Sequence, residues 1–333
     1  MSENKTNITA FIEEAFGANA LYVQGLLERY RSDPKLVDES WQTYFSELLN
    51  GQSPEGPEAE GAKDLSPASP TVGKAQPAIP TAKPAPPALS PDSKSRPITG
   101  VAKKIVENME QSLTVPTATS FREIPVKVLE ENRRIINDHI GALGHGKVSF
   151  THVIGWAIVQ AAKEYPSLNH GFGMIDGVPS RLENQNINLG IAIDVEKKDG
   201  SRSLLVPNIK KAEAMNFVEF FHAYNTQVKK AREGNLEIAD FQGTTISLTN
   251  PGTIGTAASN PRLMAGQSAI LATGAIEYPP EYQAMTPAAL SQIGISKTLT
   301  ITNTYDHRVI QGAESGMFLA RINEYLKGEH GFY

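Results

Sequence analysis

Cysteine is absent from this 333-residue sequence, so disulfides, thiolate metal sites and a cysteine nucleophile are all excluded. A surplus of charge is missing as well. With 31 Lys and Arg against 36 Asp and Glu, the formal net charge of −5 supplies no general attraction to nucleic acid or to anionic lipid, and neither is expected as a partner. Long apolar runs are lacking too: no stretch reaches the ~18 residues that a membrane span requires. The start, "MSENKTNITAFIEEAF", carries acids where a signal peptide would have a basic and then an apolar region. A cytoplasmic location is the expectation. The seven histidines are scattered, and no HExxH motif or acidic cluster has ligand spacing, so no metal is expected. Phosphate-binding loops also fail. "GALGHGKV" at 141–148 puts Val148 where a P-loop needs Ser or Thr, and no GxGxxG opens a helix after a strand.

What is present divides the chain clearly. Residues 1–50 carry two amphipathic patterns, one with Leu21, Leu26, Leu27 and Tyr30 and one with Trp41, Tyr44, Phe45 and Leu48, separated by a turn at Asp33-Pro34. Two such helices bury little surface alone and should pack on something else. Residues 51–97 hold half of the chain's 22 prolines and almost no large apolar side chains. That composition reads as an extended Pro/Ala linker. Residues 98–333 read as one α/β domain with a mixed sheet flanked by helices. Helical patterns cover "GVAKKIVENMEQSL", "VKVLEENRRIINDHI", "SFTHVIGWAIVQAAKEY", "NFVEFFHAYNTQVKKAREG", with Gly234 as its stop, and "AESGMFLARINEYLKG"; strand patterns cover "NINLGIAIDV" and "SLLVPNI", around a hairpin turn at Asp199-Gly200, and "TTISLTN", "SAILATGAI" and "TLTITNTY". The third helix is apolar nearly all round, which predicts burial.

Candidate chemistry sits at two strand ends. "TLTITNTYDHR" alternates Leu299, Ile301 and Asn303 with threonines and delivers His307, between Asp306 and Arg308, to the rim of the sheet. "SLTNPGTIGT" places the Thr249 hydroxyl and the Asn250 amide before a turn rich in Gly and Pro, where a hydroxyl could meet a developing oxyanion. Each has a plain alternative, a hydrogen-bonded structural histidine and an ordinary strand threonine.

Together these stretches resemble a known family. "DHRVIQGAESG" is similar to the active-site signature of the dihydrolipoamide acyltransferases, and "TISLTNPGTIGT" to their oxyanion segment. The likeness extends in order through "VPTATS", "NLGIAIDV" and "NPRLMAGQSAILATGAIEY". The wording is nearest to the multifunctional 2-oxoglutarate dehydrogenase/decarboxylases of actinobacterial type, and residues 16–48 resemble the N-terminal segment of 2-oxoglutarate dehydrogenases. The resemblance implies a chloramphenicol acetyltransferase-like fold, assembly as a homotrimer or higher oligomer, and succinyl transfer from dihydrolipoamide to coenzyme A. It implies that His307 is the general base and that Thr249, from a neighbouring subunit, stabilises the oxyanion, with Asp306, Arg308, Gln311 and Asn250 in support. The family's signature carries aspartate where this chain has Gln311, which keeps a second expectation in view: a catalytically idle trimerisation module that binds acyl-CoA. No lipoyl-bearing stretch precedes the linker, so the lipoyl group is expected in trans, with a lipoylated acyltransferase and dihydrolipoamide dehydrogenase as partners. The thiamine diphosphate and magnesium of the fused family belong to a region that is not found in these residues.

Overall fold

The computed structural model describes residues 20–49, 97–98, 101–144, 146–196 and 202–333, together with 8, 11–12 and 15–16. The expected linker lies almost wholly outside the described residues, as does the tip of the hairpin expected around Asp199-Gly200. Two helices open the chain, α1 (Ala20–Ser32) and α2 (Glu39–Leu49). Between them Asp33 accepts a hydrogen bond from the Lys35 amide at 3.0 Å and caps a single 3-10 turn that begins at Pro34. Trp41, Phe45 and Leu48 repeat at helical spacing along α2 and are buried.

The main domain is built on a six-stranded mixed sheet in the order β1-β10-β9-β8-β4-β7. Its strands are β1 (Thr117–Pro125), β4 (Leu189–Ile191), β7 (Asn208–Ile209), β8 (Ile246–Thr249), β9 (Ala269–Thr273) and β10 (Thr298–Asp306). β10 pairs antiparallel with both β1 and β9, whereas β9 and β4 flank β8 in parallel. Two short hairpins stand beside the sheet, β2 (Gly171–Ile175) with β3 (Val178–Leu182) and β5 (Ile193–Glu196) with β6 (Arg202–Leu205). The second was expected from its turn; the first was not. Its signal was nevertheless readable, because Asp176 and Gly177 both take positive φ, 51° and 76°, as a two-residue turn of a right-twisted hairpin requires. The strand expected over "NINLGIAIDV" is divided by Ala192 into β4 in the sheet and β5 in the hairpin.

Helices α3 (Val101–Ser112), α4 (Lys127–Ala142), α5 (Phe150–Glu164), α6 (Phe217–Glu233) and α9 (Gly312–Leu326) carry most of the remaining apolar surface. Short helices α7 (Ile238–Phe241) and α8 (Pro287–Gln292) join them. α5 is buried along nearly its whole length, as its all-round apolar pattern demands, and packs with α6, α9, Leu189, Leu248 and Ile301 in the larger core. β10 departs from the simple alternation in its sequence. Asn303 faces α9 and donates to Ser315 Oγ at 2.9 Å, yet the opposite-facing Thr302 and Thr304 are buried too. A covering loop explains this, since Thr302 Oγ1 donates to Ser259 O at 2.7 Å and Thr304 bonds Thr119 across the β1 register. No helix among the described residues is long and apolar enough to cross a membrane.

α5 starts on an unusual cap. The Ser149 amide donates to His152 Nδ1 at 2.9 Å, so the ring's proton sits on Nε2, 3.2 Å from Asn225 Oδ1. The Phe221 and Tyr224 rings close around the imidazole, and burial pushes its pKa down to about 4. The unfolded chain therefore binds more protons than the native one between pH ~6.5 and ~4, and native stability, complete above that window, declines as pH falls through it. The loss is on the order of 3 kcal/mol. Urea denaturation from pH 7.5 to 4.5 should show a falling midpoint whose slope largely disappears in His152→Gln.

Candidate active site

β10 ends at Asp306, whose carboxylate is buried and fully occupied by one residue. Arg308 Nε donates to Oδ1 at 2.9 Å, Nη2 to Oδ2 at 2.6 Å, and the Arg308 amide adds a third bond at 3.0 Å. The same guanidinium lies 3.7 Å from the centre of the Phe172 ring on β2. A bidentate pair that is also stacked on a ring leaves little freedom to the residue between its members. That residue is His307. Its amide donates to Pro116 O at 2.9 Å, while its imidazole stands exposed with the Tyr305 ring 5.6 Å away. Beyond it Val309 and Ile310 turn inward and are buried, and Arg181 Nη2 holds the Val309 carbonyl at 3.2 Å. The backbone around His307 is thus pinned from β1, β3 and β10 while the ring is presented outward.

Gln311 takes the N-cap position of α9 in extended conformation, and its amide donates to Glu314 Oε2 at 2.8 Å. Glutamine is a poor N-cap, and aspartate would satisfy the first amides of the helix and its dipole directly. The position therefore serves the start of the helix.

Thr249 is the last residue of β8 and half-buried. Asn250 follows it, donating from Nδ2 to Thr151 Oγ1 on α5 at 2.8 Å and opening the 3-10 turn Pro251–Ile254. Two glycines decide where this loop lies. A Cβ on Gly252 would collide with the backbone of Gly274, just past β9, and a Cβ on Gly274 would collide with the carbonyl of Ala257. The Ala275 amide then ties the loop down through Thr256 O at 2.8 Å. Neither the Gly252–Gly274 contact nor Thr151 was found from the sequence. The partners of each lie far apart in the chain, and only Gly252 was noticed, as part of a turn rich in Gly and Pro.

The two candidate strand ends are not brought together within one chain. Thr249 is level with Ala272 on β9, and Ala272 with Thr302 on β10. His307 therefore lies about 17 Å farther along the sheet and roughly 10 Å to the side at ordinary strand dimensions. A base has to reach its proton within ~3 Å, directly or through one water, so a single protomer cannot use both residues on one substrate.

The catalytic-domain model of the 2-oxoacid dehydrogenases acyltransferases matches residues 90–330, and that of the 2-oxoglutarate dehydrogenase N-terminus matches residues 13–52. The chain belongs to the 2-oxoacid dehydrogenase acyltransferases. It is 43% identical over 345 residues to a multifunctional 2-oxoglutarate metabolism enzyme of Mycolicibacterium vanbaalenii. It is 44% identical over 330 residues to a 2-oxoglutarate dehydrogenase E1/E2 component of Corynebacterium glutamicum. Each match takes in 93% of this acyltransferase but only 28% and 27% of the relatives' own lengths. Among solved structures, a probable dihydrolipoamide acetyltransferase from Listeria monocytogenes superposes with a TM-score of 0.60 at 26% identity, over 72% of this chain and 96% of that one. The mixed α/β architecture is accordingly that of the acyltransferase catalytic core.

Gly274→Ala should destabilise this acyltransferase by about 1–3 kcal/mol, the usual cost of overpacking a site that cannot relax. Thermal denaturation would measure it. Gln311→Asp should go the other way by about 0.5–1 kcal/mol through the better N-cap, visible as a raised urea midpoint.

Proposed function

We propose that the protein transfers a succinyl group from a dihydrolipoamide thioester to coenzyme A as the acyltransferase part of a 2-oxoglutarate dehydrogenase system. The reading rests chiefly on His307, an imidazole held by its backbone and presented at a sheet rim in a chain of this family. A thiol with pKa near ~8.5 is mostly protonated at neutral pH, and a neutral imidazole is matched to take its proton. In this mechanism the coenzyme A sulfur attacks the thioester carbonyl as its proton passes to His307. The tetrahedral oxyanion that forms accepts a hydrogen bond from the Thr249 hydroxyl. Collapse breaks the bond to the lipoyl sulfur, which recovers the proton from the imidazolium, so the step is balanced without a metal or redox partner.

The separation of His307 from Thr249 supports a site shared by two protomers, and hence a cyclic homo-oligomer such as a trimer. Asp306, Arg308 and Asn250 act as positioning residues through the contacts that fix the two loops. Gln311 counts little against turnover, because its bond is a backbone cap. The lipoyl group reaches the site in trans on a lipoylated acyltransferase, and dihydrolipoamide dehydrogenase reoxidises it, in a cytoplasmic complex. Thiamine diphosphate and magnesium are assigned to the part of the relatives that this chain does not cover.

His307→Ala should abolish coenzyme A succinylation with folding intact; full turnover in that variant would remove the assignment. Thr249→Ala should lose about 10²–10³ in kcat, as other oxyanion donors do. Mixing and reassembling the two inactive variants should restore about a quarter of the sites if each is built from two protomers. No recovery on mixing would overturn the shared site.

A further inference from the structure

The N-terminal helices do not stand apart from the catalytic domain. Trp41, Phe45, Val23, Leu26 and Leu27 form one buried cluster with Ile191, Ile193, Leu205, Leu236 and Phe241. Polar anchors fix the register: Trp41 Nε1 donates to Leu236 O at 3.1 Å, and Tyr22 Oη to Gly234 O at 2.7 Å. Trp41 and Phe45 are almost wholly excluded from solvent, 1% and 0% exposed, and Tyr22 packs 5.5 Å from Phe241. The receiving groove is itself rigid. Gly234 ends α6 with φ 74°, and Asp240 on α7 binds Gln227 and Lys230 of α6.

The floor of this groove leads directly to the oxyanion strand. Ile191 is level with Leu248 in the parallel pair, and between Ile191 and Ile193 the Ala192 amide donates to Leu248 O at 2.9 Å. Thr249 is the next residue. β4 is only three residues long and leaves the sheet at this point, so few ladder bonds hold it there. The apolar cluster that contains its Ile191 includes the side chains of the N-terminal segment.

We propose that the groove between β5–β6, the end of α6 and α7 is the seat of the chain's own N-terminal segment, and that its occupancy holds Thr249 in place for acyl transfer. Trp41 and Phe45 are then positioning residues, acting on the reaction through Ile191, Ile193 and the Ala192–Leu248 bond. The second half of this proposal rests on the acyl-transfer reading; the first does not. Misplacement of a transition-state donor by about 1 Å can cost 10²-fold in rate, and it acts on kcat more than on substrate binding.

The test uses the full chain with a specific protease site placed between residues 51 and 97. After cleavage of the otherwise unaltered protein, the N-terminal fragment should co-elute with the catalytic domain in gel filtration, with kcat retained. In Trp41→Glu it should elute separately, and kcat should fall by roughly 10–100-fold with KM for coenzyme A within about twofold. Adding a synthetic peptide of residues 1–50 should restore kcat, while the same peptide with Trp41→Glu should not. Separate elution of the unaltered fragment would overturn the seat. Full kcat after release, or loss of the domain's far-ultraviolet dichroism on release without rescue by peptide, would overturn the positioning role. An uncleaved chain with no transfer at all would instead overturn the acyl-transfer reading, leaving the elution result to decide the seat.

Discussion

The antiparallel pairing of β10 with β9, set against the parallel pairing of β9 with β8, governs the rest of the molecule. Because β8 and β10 run in opposite directions, their C-terminal ends emerge at opposite edges of one sheet. The exposed imidazole and the strand-end hydroxyl are carried by those two ends. No adjustment of loops could bring them together across ~17 Å of strand. The proposed acyl transfer therefore draws its base and its hydroxyl donor from two copies of the chain.

Each end is then made rigid by a different device. Around His307 the work is electrostatic and aromatic: a buried carboxylate, a bidentate arginine and a ring beneath it. Around Thr249 it is steric, since two glycines let the loop and the end of β9 approach more closely than any side chain permits. The N-terminal helices add a third support, from outside the sheet, through a second apolar cluster that shares no buried residue with the main one. Two sequence segments that match separate family models are in this way one packed body.

Much of this was legible beforehand. α5 was expected to be buried because its pattern is apolar on all sides, and Gly234 was read as the stop of α6, where its positive φ ends the helix. The strand-end position of His307 followed from the alternation of β10. Other features were not legible for physical reasons. The threonines of β10 look like an open face, and it is a distant loop, through Ser259, that covers them. The partners of Gly274, Asn250 and Trp41 are far away in sequence, and composition carries no record of distance. Amphipathic patterns in residues 1–50 announced a face to be buried without saying what would bury it.

The sequence by itself determined most of the helices and strands of residues 98–333 and the strand-end position of His307. These depend on local periodicity, turn chemistry and motif wording, all of which are written over short spans. Only the tertiary structure decided that His307 and Thr249 belong to opposite ends of the sheet, and that the N-terminal helices close over β4 and β5. Strand order and direction arise from pairing between segments distant in the chain, and that long-range register has no signature in any one of them.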